Sequence, residues 1–345
     1  MNESLSIQGA IAKVLEHQNL SRGEMQSVMR QIMTGECSDA QIGGLLIALR
    51  MKGETVDEIT AAAEVMSELA SAVSVNASPL IDLVGTGGDG THTFNVSTAA
   101  SFVAAGAGAK VAKHGNRSVS SKSGSADLLE AAGANLQLES AQVAQVIESA
   151  GVGFMFAPMH HSAMKHAIGP RKEMAVRTIF NVLGPLTNPA QVKRQVIGVF
   201  SEELLEPLAH VLGNLGSQHA MVVRGEDGMD EISICAPTKV AQYRDGAVQS
   251  YTINPEDVGL ARANIDELKV SGPEESLQTI NAILDGQAGG PRDIVVMNAG
   301  AGIYVAGLSD SLQSGVTMAQ EAIDSGKAKA ALLAYVDATQ AVSNA

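Results

Sequence analysis

The sequence has no tryptophan, and aromatic residues make up only 3% of its 345 positions. Its core therefore has to be built from Ala, Val, Leu, Ile and Met. Only two cysteines occur, Cys37 and Cys235. Two cysteines make no disulfide framework, and no metal-ligand spacing joins them. Two buried thiols in a reducing compartment, the cytoplasm, are expected. No run of about 18 apolar residues is present, so no membrane-spanning helix is expected. The opening Met1-Asn2-Glu3-Ser4 has neither a basic stretch nor an apolar one, so no signal peptide is expected. Positive charge is in deficit, with 23 Lys and Arg against 37 Asp and Glu and a net charge of -14. That balance argues against the broad basic surface of a nucleic-acid binder. Any anion site must come from a local concentration of positive charge.

Glycine, in contrast, is abundant at 35 residues and clusters at a few loops. The length suggests two domains, or one with a large lobe. Residues 1–73 read as helical. Ser21 with Glu24, Ser38 with Gln41 and Thr55 with Glu58 each form a capping-box pattern before an apolar-periodic run, which marks at least three short helices. From Pro79 the pattern changes. Strands are expected at Leu80–Val84, Lys110–Lys113, Val152–Phe156, Val196–Phe200 and Ala220–Val223, with further candidates at Ile232–Ile234 and Val248–Ile253. Helices are expected from about Ser97, at Ala126–Ala132, Ala141–Ala150, Glu275–Leu284 and from Ser311 onward. One helical stretch over Ser162–Leu183 interrupts the alternation and could rejoin the N-terminal helices. The whole reads as an α/β fold with a largely parallel sheet plus a small helical domain.

Four motifs carry chemistry. Gly85-Thr86-Gly87-Gly88-Asp89-Gly90 follows a strand and matches G-x-G-x-x-G, but a dinucleotide site needs an acidic residue about 20 positions on. No Asp or Glu occurs between Gly90 and Ala126. The loop still suits a phosphate, because glycine backbone N–H groups can converge on it and a helix N-terminus follows. The acid-free window holds the second motif, Lys113-His114-Gly115-Asn116-Arg117-Ser118-Val119-Ser120-Ser121-Lys122-Ser123-Gly124-Ser125. Its cations, hydroxyls and glycines have the chemistry of a diphosphate site. Met229-Asp230-Glu231 offers adjacent carboxylates for a hard cation, although such pairs are more often solvated. Arg171, after Gly169-Pro170 at an expected helix start, can meet a carboxylate as a fork, although a structural salt bridge is the commoner role. His160-His161 has no third ligand at metal spacing and reads as a surface pair or one supporting other residues.

Taken together, Gly85–Asp89, Asn95–Thr98, Lys113–Ser121, Gly124–Asp127, Arg171, Asn181–Leu186 and Met229–Glu231 resemble the anthranilate phosphoribosyltransferase family over about residues 3–335. The resemblance implies a nucleoside phosphorylase/phosphoribosyltransferase-like fold. Its helical domain would take residues 1–73 with about 165–190, and its α/β domain 74–164 with 191–345. It implies a homodimer with PRPP and anthranilate as substrates, and no nucleic-acid or membrane partner. By the same resemblance, Gly85, Gly88, Asp89 and Thr93 would line the donor. Asn95, Val96, Ser97 and Thr98 would hold its phosphate end. Lys113, His114, Gly115, Asn116, Arg117, Ser118, Val119, Ser120, Ser121 and Ser125 would contact the diphosphate and ribose, with Lys113 and Arg117 stabilising the leaving group. Gly85, Asn116 and Arg171 would face anthranilate. Ser97, Asp230 and Glu231 would hold Mg2+, two ions per subunit. A pyrimidine nucleoside phosphorylase-like enzyme and a non-catalytic nucleic-acid-binding relative of the same fold are the alternatives.

Overall fold

The computed structural model describes residues 5–118 and 122–343. Four helices precede the first strand: α1 (Ile7–Leu15), α2 (Arg22–Met33), α3 (Asp39–Lys52) and α4 (Val56–Glu68). All three sequence-marked capping boxes form, at Ser21, Ser38 and Thr55. In the first, Ser21 Oγ accepts from Glu24 N at 3.3 Å and Glu24 Oε2 accepts from Ser21 N at 2.7 Å. Each box satisfies N–H groups that a helix start otherwise leaves bare. The connection between α3 and α4 closes over a buried ion pair. Lys52 Nζ meets Glu58 Oε2 at 2.9 Å, with side chains 5% and 0% exposed.

Alternation begins with β1 (Leu80–Gly85), α5 (Val96–Gly106), β2 (Lys110–Gly115), α6 (Ser125–Ala131), α7 (Ser140–Ala150) and β3 (Val152–Phe156). Then come α8 (Ala157–His160), α9 (Lys165–Met174), α10 (Phe180–Leu186), β4 (Arg194–Gly198), α11 (Leu205–Asn214) and β5 (His219–Gly225). The chain ends with β6 (Thr238–Arg244), β7 (Ala247–Ile253), α12 (Pro273–Leu284), α13 (Gly290–Ala306), α14 (Leu312–Asp324) and α15 (Lys327–Ser343). The seven strands form one sheet in the order β3-β2-β1-β4-β5-β6-β7. It is parallel from β3 to β5, and β6 and β7 add antiparallel. The expected architecture of a small helical domain beside a largely parallel α/β domain is therefore present.

Strand alternation divides the core. Ile81, Leu83, Val196, Met221 and Val223 face a cluster with residues of α5, α7, α13 and α15. Ile197, Ala220, Val222 and Ala241 face the opposite way and share a cluster with α11 and the N-terminal helices. The scarcity of aromatics suits the first layer, where helices approach almost backbone to backbone. A Cβ on Gly315 would lie 2.3 Å from the carbonyl oxygen of Gly300.

Several expectations need correction. Ile232–Ile234 is a buried loop, not a strand; Asn298 satisfies the backbone of Ile232, accepting from its N at 3.0 Å and donating to its O at 2.9 Å. The Ser162–Leu183 stretch is broken: α9 stops at Ala175, which takes a positive φ of 50°, and α10 restarts at Phe180 and runs through Pro185. Strand β6 and helix α13 were not anticipated. Cys37 and Cys235 are half-buried rather than buried, and burial raises both thiol pKa values.

Candidate active site

In a parallel α/β sheet, ligands bind beyond the C-terminal ends of the strands, where the strand order reverses. Here β1 is flanked by β2 on one side and β4 on the other. The ends of β1 and β2, the loops and helix starts that follow them, and the loop after β5 carry the described donor-side residues singled out in the sequence.

Strands β1 and β2 separate early. Their register covers only Leu80 with Lys110 and Ile81 with Val111. Beyond it, side chains replace ladder bonds. The buried Asp82 carboxylate accepts from His114 N at 3.3 Å and from Asn188 Nδ2 at 2.7 Å, while Lys113 Nζ donates to Leu83 O. Burial pushes Asp82 up to about 6, against the pull of Lys113. The separation parts the Gly85–Gly90 turn from the Gly115 loop beyond the paired residues.

The Gly85–Gly90 turn puts Gly87, Gly88 and Gly90 at positive φ values of 70°, 78° and 75°. Such values suit residues without a Cβ. Asp89 is held inward, accepting from Thr91 Oγ1 at 2.5 Å. Thr93 pairs with Lys269 in an isolated bridge. Helix α5 begins only at Val96, as the late helix start implied, so the turn is not a dinucleotide fingerprint. The Asn95 side chain does not cap α5; it donates to Ser123 O at 3.1 Å and accepts from Ser276 Oγ at 2.8 Å. Val96 is a core side chain whose N–H bonds to Phe94 O at 2.8 Å. Thr98 is buried and its Oγ1 has no partner among the described residues.

Asp230 and Glu231 form a carboxylate ledge across the strand ends. Gly198 and Gly85 make room for it: a Cβ on Gly198 would fall 1.5 Å from Asp230 O, and one on Gly85 would fall 2.4 Å from Asp230 Oδ2. Asp230 Oδ2 accepts from Gly87 N at 2.6 Å, and Glu231 Oε1 accepts from Ser97 N at 3.2 Å. Burial, then the charge of Asp89, raises the pKa of Asp230; burial, then Asp230, raises that of Glu231. Lys113, 3% exposed, reaches Ser97 Oγ at 3.3 Å, and burial pulls its pKa down. Two like charges pressed together out of water are a ready site for a cation. Among the described residues, no three His, Cys, Asp or Glu side chains close a metal cage. That arrangement fits Mg2+, which takes few protein oxygens and fills its sphere with water and substrate phosphate.

The basic loop folds back on itself. Asp127 accepts from Ser118 N at 3.1 Å and Gly124 N at 3.0 Å. The two limbs touch so closely that a Cβ on Gly124 would lie 2.2 Å from Ser118 N. A Cβ on Gly115 would lie 2.4 Å from Ser125 Oγ, whose hydroxyl bonds to Asn116 O at 3.3 Å. Arg117 is turned onto α6, bonding Glu130 through both guanidinium nitrogens at 2.5 and 2.6 Å and Asp127 at 3.1 Å. Its charge is thus compensated by carboxylates. Val119, Ser120 and Ser121 lie outside the described residues.

Arg171 sits in the last turn of α9 and not at a helix start. Its guanidinium lies 5.2 Å from the centre of the Phe180 ring and makes no ion pair among the described residues, so the salt bridge considered for it is absent. Burial lowers its pKa. His160 and His161 are buried and not at the surface. The His161 ring is tilted by 51° to that of His114, with centres 5.1 Å apart, and His114 Nδ1 lies 3.1 Å from Gly184 O. Burial keeps His114 at about 3 and His161 at about 4, so both are neutral near pH 7. The residues missed in the sequence are those that support others: Asp82, Asn188, Gly198, Asn298 and Arg177.

Comparison with known proteins gives one answer over the full length. Residues 8–70 match the model of the glycosyl transferase family helical bundle domain, and residues 77–329 match that of its a/b domain. An anthranilate phosphoribosyltransferase of Thioalkalivibrio sulfidiphilus is 58% identical over 97% of this chain and 99% of its own. The crystal structure of the Thermus thermophilus anthranilate phosphoribosyltransferase superposes with a TM-score of 0.91 at 45% identity, covering 96% of this chain and 99% of the other. The Saccharomyces cerevisiae anthranilate phosphoribosyltransferase, in complex with PRPP and Mg, gives 0.89 at 27% identity, covering 97% and 98%. The chain belongs to the anthranilate phosphoribosyltransferase family.

Proposed function

We propose that PRPP binds in a cleft between the Gly85–Gly90 turn and the Gly115 loop and that anthranilate binds at Arg171, giving N-(5-phosphoribosyl)anthranilate and pyrophosphate, a step of tryptophan biosynthesis. One observation carries the reading: the glycine turn, the start of α5, the buried Lys113 and the Asp230-Glu231 ledge converge at the C-terminal ends of central strands. Gly85, Gly88, Asp89 and Thr93 line the donor, Asn95 to Thr98 its phosphate end, and Lys113 to Ser121 with Ser125 the diphosphate and ribose.

Breaking the bond from C1 to the diphosphate leaves negative charge on the departing group and oxocarbenium character on the ribose. Lys113 is the buried cation at the cleft floor, and preorganised charge of this kind lowers the barrier where charge develops. Asp230, Glu231 and Ser97 would hold Mg2+, two ions per subunit. Bound there, Mg2+ supplies charge neutralisation for the leaving diphosphate. The amine of anthranilate is neutral and nucleophilic at pH 7, so no strong general base is required. The histidines held neutral beside the cleft agree with a site short of acid–base pairs. With Arg171 and Asn116 orienting the acceptor, positioning supplies much of the remaining rate.

We divide the chain into a helical domain, residues 1–73 with about 165–190, and an α/β domain, residues 74–164 with 191–345. The packing of α9 on α3 and of α10 on α4 supports that division. We also infer a homodimer through the helical domain, a reading that its surface supports. Met51 is 78% exposed and Leu15 is 63% exposed. Both border an open groove of about 590 Å3, floored by Gly43, Ile47 and Met174. No helix among the described residues is long and apolar enough to cross a membrane. We place the dimer in the cytoplasm, without nucleic-acid partners.

The test is loss of anthranilate fluorescence, measured with and without PRPP and after EDTA treatment. Consumption of anthranilate that needs both PRPP and a divalent cation supports the reading; no consumption under any of these conditions overturns it.

A further inference from the structure

The segment between α9 and α10 places one more cation at the donor turn. Arg177 donates from Nη2 to the carbonyl of Gly88, and its guanidinium lies 4.1 Å from the centre of the Phe200 ring. Phe200 belongs to the same assembly, since its N–H bonds to Thr86 Oγ1 at 3.2 Å and Thr86 N bonds to Gly198 O at 2.9 Å. Gly88 is fitted to this contact, because a Cβ there would stand 3.1 Å from Arg177 Nη2. Arg177 makes no ion pair with a carboxylate among the described residues. Its hydrogen bond to a backbone oxygen is therefore its fixed engagement, and the Phe200 ring backs the guanidinium.

The Gly88 carbonyl belongs to a planar trans peptide whose other end is the N–H of Asp89, pointing the opposite way. Pinning the carbonyl fixes that N–H, and with it the flanking left-handed glycines. A turn of three such glycines has many conformations in the unliganded protein, and a ligand that needs one of them binds more weakly by the fraction populated. The clamp also comes from the segment that ends α9, the helix bearing Arg171.

We propose that Arg177 is a positioning residue for the phosphoribosyl donor: through the Gly88 carbonyl it holds the Gly85–Gly90 turn in its donor-receiving form and ties that turn to the helix bearing Arg171. The proposal rests on the transfer reading above.

Arg177→Ala, Arg177→Lys and Phe200→Leu are compared with the unaltered protein, varying PRPP at saturating anthranilate and anthranilate at saturating PRPP, alongside thermal melts. Arg177→Ala should raise the KM for PRPP by about tenfold or more, the loss of one charge-assisted bond. The KM for anthranilate should stay within about twofold, since no acceptor contact is removed. Lys keeps the charge and a donor without the planar stack and should restore part of the PRPP affinity. Phe200→Leu, which keeps the bond and loses the platform, should fall between. An unchanged KM for PRPP in Arg177→Ala overturns the proposal. So does a rise confined to anthranilate, which would make Arg177 an acceptor contact. A collapsed melting temperature with both affinities lost, or a Lys variant no better than Ala, also overturns it. Absence of transfer by the unaltered protein would instead sink the transfer reading itself, so the two failures are distinguishable.

Discussion

Lys113 Nζ donates to the carbonyl of Leu83 across the gap where β1 and β2 cease to pair. One ammonium thus repairs a broken ladder and stands at the floor of the donor cleft. Removing it should have two separable effects. Lys113→Met keeps the stem volume and leaves Leu83 O without its partner, a cost of about 1–3 kcal/mol in stability. It also removes a preorganised cation from the leaving group, which should lower kcat/KM for PRPP on the order of 10²-fold or more. Urea denaturation and steady-state kinetics measure the two effects. A variant that loses stability yet keeps kcat/KM within about threefold would reduce Lys113 to a structural role.

The helical domain offers a test of buried charge. Lys52 and Glu58 meet at 2.9 Å, both almost wholly shielded from water. Glu58 also accepts from Leu20 N at 2.9 Å and Thr55 N at 2.8 Å, tying three segments together. Lys52→Met leaves an unpaired carboxylate in the interior and should cost about 3–5 kcal/mol. Glu58→Leu should cost at least as much, because Leu20 N is also left bare. The double variant should not return to the starting stability, since the bare N–H remains. Thermal or urea unfolding measures all three, and full recovery in the double variant would mean that the Leu20 bond contributes nothing.

Histidine burial sets an acid limit. His114 is held at about 3 by burial first and then by His161, itself held at about 4, against an ordinary value of 6.5. His160 and Lys113 add smaller repulsions to His114, and Asp82 accepts its backbone N–H. A depressed folded-state value means that the unfolded chain binds the proton more readily below about 6.5. The stability these residues contribute is complete above that pH and falls as the pH drops toward 4 and 3, at up to about 1.4 kcal/mol per pH unit per site. Asp82, raised to about 6, acts in the opposite sense between about 6 and its ordinary 3.8, and so offsets one histidine. His114→Gln should flatten the fall in urea midpoint between pH 6.5 and 4.5, while a slope as steep as that of the unaltered protein would place the acid sensitivity elsewhere.

The parts of the fold legible in the sequence were those whose signals are local. A capping box is complete within four residues, so α2, α3 and α4 could be placed from their caps. Helix α13 was not, because nearly every side of it is buried and an amphipathic period is missing. Its interior Gly300 and Gly302, which look like helix breakers, are where Val316 and Leu83 pack against it. The loop at Ile232–Ile234 looks like a strand because it is apolar and buried, but its backbone is satisfied piecemeal, by the side chains of Asn298 and Thr238 and by Ala263 N, and not by a strand ladder. At the site, the residue types that carry chemistry were readable, whereas their supports were not. Nothing near Arg117 announces that Glu130 will engage it, and nothing near Asp230 announces Gly198. Those relations are made by strands and helices meeting from distant parts of the chain.

Arg171 makes the sharpest prediction for the acceptor. Its guanidinium lies over the Phe180 ring, half-buried, without an ion-pair partner among the described residues. A partly desolvated guanidinium left without a counter-charge has more to gain from a carboxylate than one in water. Anthranilate brings one carboxylate, whose two oxygens match the guanidinium fork. In the proposed function the donor's phosphates take their partners from the glycine turn, the start of α5 and Lys113. A charge-assisted contact of this kind contributes about 1.5–3 kcal/mol. Arg171→Ala should therefore weaken apparent anthranilate binding by roughly 10- to 150-fold. The apparent affinity for PRPP should change far less, and Arg171→Gln should resemble Ala more than Lys, since the lost contribution is mainly charge. Steady-state kinetics with each substrate varied in turn, read against the Arg177 variants, separates the two arginines: one should move the acceptor's KM, the other the donor's. If Arg171→Ala lost PRPP affinity and kept that for anthranilate, the guanidinium would belong to the donor site, and α9 would not be where anthranilate binds.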